Sequence, residues 1–105
     1  MIVQSGMESD GTLVLTVAAT TLTRANAADF REQSVPEIVA ATGSVVVDCS
    51  QLEFIDSSGV GALLHASNML EESRRPVRLT GVGAKVLASL ELMRVHRQFD
   101  LEPRN

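Results

Sequence analysis

Asp56-Ser57-Ser58-Gly59, continued by Val60-Gly61, is the stretch of this chain whose residue types and spacing could do chemistry. An aspartate just ahead of a helix can accept backbone N–H groups as an N-cap. The two serine hydroxyls then fall in the first helical turn. Gly59 and Gly61 keep that turn free of bulky side chains, which lets another surface approach the backbone closely. Each glycine costs about 1 kcal/mol relative to alanine in a helix interior, and such a cost usually has a reason. Asp-Ser-Ser at a helix start is also ordinary capping chemistry, with glycines that serve only close helix–sheet packing. The four residues alone divide evenly between a capping role and a working one.

Three kinds of chemistry are tested against the motif and fail. A phosphate-binding P-loop needs a lysine after its second glycine, whereas Gly61 is followed by Ala62 and Leu63 and no lysine is near. A nucleophile elbow reads G-x-S-x-G. With Ser58 as nucleophile the first glycine position is Asp56, and with Ser57 it is Ile55. The histidines are His65, about two turns along the same helix and expected to face solvent, and His96, expected on a late surface loop. Cys49, His65 and His96 show no metal-ligand spacing. The expectation is therefore no catalytic residue, no metal and no cofactor.

The elements that must position the motif follow from composition and pattern. The chain has 105 residues, the usual size of one domain, so residues 1–105 read as a single unit. It is 45% hydrophobic and 21% charged, with no Trp or Tyr, which calls for an aliphatic core. A net charge of −4 without a basic stripe or stacking aromatics argues against nucleic-acid binding. The densest basic cluster, Arg74-Arg75 with Arg78, reads as a solvated helix C-terminus. Cys49 is the only cysteine, expected as a small buried hydrophobe. With neither a signal-peptide pattern nor a membrane-length apolar run, a cytoplasmic protein without direct membrane contact is expected.

Ile2 to Met7 reads as a weak strand. Asp10-Gly11 signals a tight primed hairpin turn into the strand Thr12–Val17, with Leu13, Leu15 and Val17 on one face. A helix is predicted over about Thr23 to Ala41, with Phe30, Val35, Ile38 and Val39 as its apolar positions. Pro36 and the capping-box pattern Ser34-Val-Pro-Glu37 predict a kink or restart near Ser34. Ser44–Asp48 is a β-branched run suited to a central parallel strand. From Ser57 a helix carries Val60, Leu63, Leu64, Ser67 and Leu70 on its inner stripe. Val77–Thr80 is a strand, Ala84–Met93 a helix with Val86, Leu87, Leu90 and Met93 inward, and Phe99–Leu101 a short edge strand. This order predicts an α/β domain: a mixed, mainly parallel sheet of four to five strands with an N-terminal hairpin, packed with about three helices.

The stretch LEFIDSSGVGALL, after a Val-rich strand ending in Asp48, resembles the signature of STAS domains, and among these most of all the bacterial anti-sigma factor antagonists. The resemblance extends over nearly the whole chain, from the hairpin through Leu22–Phe30 to the last helix. It implies a transcription regulator that works by partner switching. In the antagonist family the first serine after the aspartate is phosphorylated by the anti-sigma factor, itself a serine/threonine kinase of GHKL type, and a PP2C-type phosphatase reverses this. That position is Ser57. Asp56, Ser58, Gly59 and Gly61 would then support the motif and cap the helix, and Ser57, Ser58, Val60 and Gly61 would contact the partner. Two positions depart from the family pattern. Thr23 stands where many relatives carry Asp, and Gly83 opens the last helix where relatives often have Pro or a polar residue. STAS domains also serve as unphosphorylated subunits of membrane complexes that transport lipids or anions, which is the alternative implied.

Overall fold

The computed structural model describes residues 1–70 and 76–104. Strands β1 (Val3–Met7) and β2 (Leu13–Val17) form the antiparallel hairpin. Its turn is not the expected two-residue primed one. Glu8 closes a three-residue loop through bonds to Thr12 and Gly11, and only Gly11 has positive φ, at 88°. The Asp10 side chain instead accepts the Thr12 N–H at 2.9 Å, an Asx-type bond that stabilises the longer loop.

Next come β3 (Thr21–Leu22), α1 (Ala27–Ala40), β4 (Val45–Asp48), β5 (Phe54–Ile55), α2 (Ser57–Asn68), β6 (Arg78–Val82), α3 (Ala84–Leu92) and β7 (Asp100–Pro103). The five-stranded sheet runs β1-β2-β4-β6-β7, parallel from β2 onward. Each parallel step is bridged by a helix, as parallel neighbours require. Leu15, Val47 and Leu79 are register partners and are fully buried, with Leu101 completing the row at the edge. The expected fold is therefore present. A second sheet of two residues per strand, β3 beside β5, was not expected.

α1 differs most from the sequence expectation. It runs unbroken through Pro36, and Ser34 does not restart it. Ser34 lies with Ala27, Phe30 and Ile38 on the buried stripe, where the i, i+4 spacing holds it in the core. Pro36 is exposed, as are Val39 and the following Ala40. The ring thus sits on the outer face, where a carbonyl left without its N–H partner can turn to water. α2 keeps its expected stripe, with Val60, Leu63 and Ser67 buried and Leu64 half-buried, and Leu70 is buried just past its end. In α3, Val86 and Leu90 are buried while Leu87 and Met93 pack half-buried against the core. Gly83 caps α3, and a Cβ there would lie 3.2 Å from the Arg104 guanidinium.

Cys49 is fully buried, and burial, with Asp48 beside it, pushes its thiol up to about 12. Arg74 and Arg75 lie outside the described residues, while Arg78 is in β6 and pairs with Glu102. Among the described residues no helix is long and apolar enough to cross a membrane.

Leu63 is fully buried and His65 is exposed on the other side of the same helix. Leu63→Ala is expected to cost about 2–5 kcal/mol and His65→Ala close to nothing. Urea melts followed by circular dichroism check both, and comparable losses would place the helix face wrongly.

Candidate functional site

The two-residue strands β3 and β5 are too short to carry a sequence period, yet they set the site. Thr21 pairs with Phe54 and Leu22 with Ile55, in parallel. The segments that follow, one leading into α1 and one into α2, therefore leave side by side. The Thr20 carbonyl accepts the N–H groups of Glu53 and Phe54, and that of Leu22 accepts the Asp56 N–H.

Asp56 then ties the two segments together. Its Oδ1 accepts the Gly59 N–H at 2.9 Å, closing the cap of α2. Its Oδ2 accepts the Arg24 N–H at 3.1 Å, from the loop ahead of α1. The Gly59 bond is the main reason the carboxyl is held below its ordinary value, with partial desolvation opposing and the Arg24 bond assisting. Thr23, the departure from the family pattern, organises the loop locally. Its hydroxyl accepts the Ala25 N–H at 3.2 Å and its own N–H is held by Asn26 Oδ1 at 2.9 Å.

The glycines divide in role. Gly59 is buried, and a Cβ there would fall within the radius of the Leu22 carbonyl oxygen and 2.7 Å from Ile55 Cγ1. Its service is close packing of α2 on β3, and it offers no open surface. Gly61 would meet only an Nη atom of Arg31, at 3.7 Å, so no clash demands glycine there. Gly61 lines an open groove between α1 and α2, of about 500 Å³, together with Ser57, Ser58, Ala27, Ala28, Arg24, Arg31 and Glu32.

Ser57 is exposed and Ser58 half-buried, both on this groove. Val60 is not with them. At 3% exposure it belongs to the core and cannot make the partner contact expected of it. The physical reason is the helical step of about 100° per residue, which turns Val60 inward and Gly61 toward the groove. Arg24 and Arg31 are the groove residues that sequence reading missed. Arg31 lies well ahead of the motif in the sequence and only the packing of α1 on α2 brings it there.

Neither histidine assembles with Ser57 in this groove. His65 faces solvent, and His96, expected on the surface, is half-buried in a short 3-10 turn after α3, its Nδ1 buried without a partner. Among the described residues no group of three or more His, Cys, Asp or Glu side chains could hold a metal ion. The arrangement presents a capped helix start with a free hydroxyl, flanked by two cations.

A family model described as "Mlab, STAS domain" matches residues 7–103. No curated protein matches the chain by sequence. Among solved structures, an anti-sigma factor antagonist STAS domain from Rhodobacter sphaeroides is 28% identical, with a TM-score of 0.60 over 73% of this chain and 82% of that one. The Bacillus cell fate determinant SpoIIAA in its phosphorylated form is 20% identical, with a TM-score of 0.67 over 94% of this chain and 89% of that one. The murine anion transporter Slc26a9 is 20% identical, with a TM-score of 0.69, over 90% of this chain but only 16% of the transporter.

Gly59→Ala should cost about 1–3 kcal/mol, because backbone cannot yield to the added methyl. Gly61→Ala should gain up to about 1 kcal/mol of helix propensity. Equal effects in urea melts would contradict the division of roles. For Asp56 the folded carboxyl sits below its ordinary value of 3.8. The stability it adds is therefore full above that value and fades as pH falls through the lower folded value. The gap in urea midpoint between wild type and Asp56→Ala should accordingly narrow on acidification below about pH 4.

Proposed function

From the premise that this chain belongs to the STAS domain family, we propose that it is an anti-sigma factor antagonist switched off by phosphorylation of Ser57. The partner proposed is an anti-sigma factor that is also a serine/threonine kinase of GHKL type, with a PP2C-type phosphatase restoring the active form. Members of the family's antagonist group act as regulators and not as enzymes, and the same is proposed here. The kinase would transfer the terminal phosphoryl group of ATP to Ser57 Oγ, releasing ADP and the hydroxyl proton.

The observation that carries this reading is the placement of Ser57. Its side chain is exposed at the first turn of α2, while its neighbour Asp56 does the capping. A hydroxyl without a structural duty can accept a phosphate at little cost to the domain, since a helix start tolerates an anion. The cost falls on whatever covers the turn. Phosphate adds a charge of about −1.5 to −2, and two like charges 4 Å apart repel by about 4 kcal/mol at an effective dielectric of 20. Half of that weakens binding more than tenfold. The switch can thus work by dissociation, without refolding. The 28% identity to an anti-sigma factor antagonist supports the same reading.

The likeness of this fold to part of the murine anion transporter Slc26a9 supports a second reading, in which the chain is an unphosphorylated subunit of a membrane transport complex. The two differ at Ser57. On the first, Ser57→Ala binds the kinase, resists inactivation and leaves the sigma factor free, whereas Ser57→Asp binds poorly because it fixes an anion in the interface. Ser58→Ala keeps the switch. Phosphopeptide mapping after incubation with the cognate kinase and ATP is the check. Phosphate on Ser58 alone, or equal partner affinity of Ser57→Ala and Ser57→Asp, would favour the transport reading.

A further inference from the structure

The groove beside Ser57 contains two arginines without a guanidinium partner among the described residues. Among the described residues neither the Arg24 nor the Arg31 guanidinium makes an ion pair or side-chain hydrogen bond, although Glu32 lines the same groove. Guanidinium is the side-chain group best matched to phosphate, because its fork of donors engages two oxygens at once. The backbone segments that carry the two arginines are held beside the groove that Ser57 lines. Arg24 follows Thr23 in the loop that Asp56 holds through the Arg24 N–H at 3.1 Å. Arg31 comes from α1 and lies over Gly61, where a Cβ would stand 3.7 Å from its Nη atom. Gly61 is one turn beyond Ser57 on the same face of α2, a spacing of about 5–6 Å. Three phosphate oxygens on Ser57 Oγ would enter the groove that both arginines line.

We infer that Arg24 and Arg31 form an internal receptor for the phosphate group carried by Ser57 of the same chain. The inference rests on Ser57 being the phosphoacceptor and adds how the modified state is held. In the unmodified chain both cations are open to a partner, and in the modified chain they are engaged. Phosphorylation then removes two positive contacts from the surface as well as adding a negative one. The charged groups facing the site are Arg24 from the loop, Arg31 and Glu32 from α1, and Asp56, whose two oxygens already hold the N–H groups of Gly59 and Arg24.

Phosphoserine installed at position 57 by genetic-code expansion tests this without any kinase. Phosphoserine ordinarily loses its second proton at about pH 6, and nearby cations lower that value. Phosphorus NMR titration at low salt should place the wild-type midpoint about half to one pH unit below that of the Arg24→Gln/Arg31→Gln double variant. The helix start acts on both proteins alike, so the difference isolates the arginines. Added salt should shrink the gap, and the Arg24→Lys/Arg31→Lys pair, which keeps charge but loses the fork, should fall between. The unmodified Gln variant should keep the wild-type urea midpoint, since neither guanidinium has a partner to lose among the described residues. Equal titration midpoints in wild type and the Gln variant overturn the receptor and leave the proposed function standing. A kinase that never modifies Ser57 overturns the proposed function and leaves this measurement untouched.

Discussion

The contact on which the site depends is the approach of α2 to the backbone of β3, made at Gly59. No Cβ fits between that helix and the Leu22 carbonyl. With the helix start pressed this close, the Asp56 carboxylate reaches back to Arg24 while still capping its own helix. α1 and α2 are then brought together, and the groove between them follows. A wider approach at this one point would separate the serines from the arginines, without altering any of the five strands of the main sheet.

The opposite face of the same junction is fastened by a different device. The Arg104 guanidinium bonds the carbonyls of Cys49, Ser50 and Leu52, the last at 3.2 Å, and the Gly81 carbonyl, and it pairs with Glu53 at 3.3 Å. The turn between β4 and β5 is thereby held against the bulge at Gly81, whose φ of 64° brings the strand within a methyl's reach of Ser50. Carbonyls at the end of a central strand have few other donors, and an arginine with five N–H groups can serve several at once. The position of β5, and hence of Asp56, is set from both sides.

Much of this was legible from residue order. Leu13, Leu15 and Val17 alternate as a half-buried strand must, and Ser44–Asp48 carries the β-branched run of a central one. Asp56 sits where a cap belongs. The errors have particular causes. At Ser34 a capping pattern competed with a helical stripe, and the burial of Phe30 and Ile38 on that stripe decided the outcome. Asp10-Gly11 fixed the hairpin but not its loop, because Asp10 could bond Thr12 locally. Val60 was expected both on the inner stripe and at the partner contact, and the helical step keeps it in the core. β3 and β5 leave no period in two residues each. Arg24, Arg31 and Arg104 act across distances that only the fold closes.

Because the Asp56 side chain caps α2 through the Gly59 N–H, the exposed Ser57 side chain has no capping role. If Ser57 is the phosphoacceptor proposed above, the scaffold and the signal are under separate constraints. A lineage could exchange Ser57 for another small residue and keep the same domain, docking surface and stability, losing only its response to modification. A later reversal would restore the response in one step. Regulated and permanently bound versions of such a domain would stand a single codon apart, with no intermediate that has to refold.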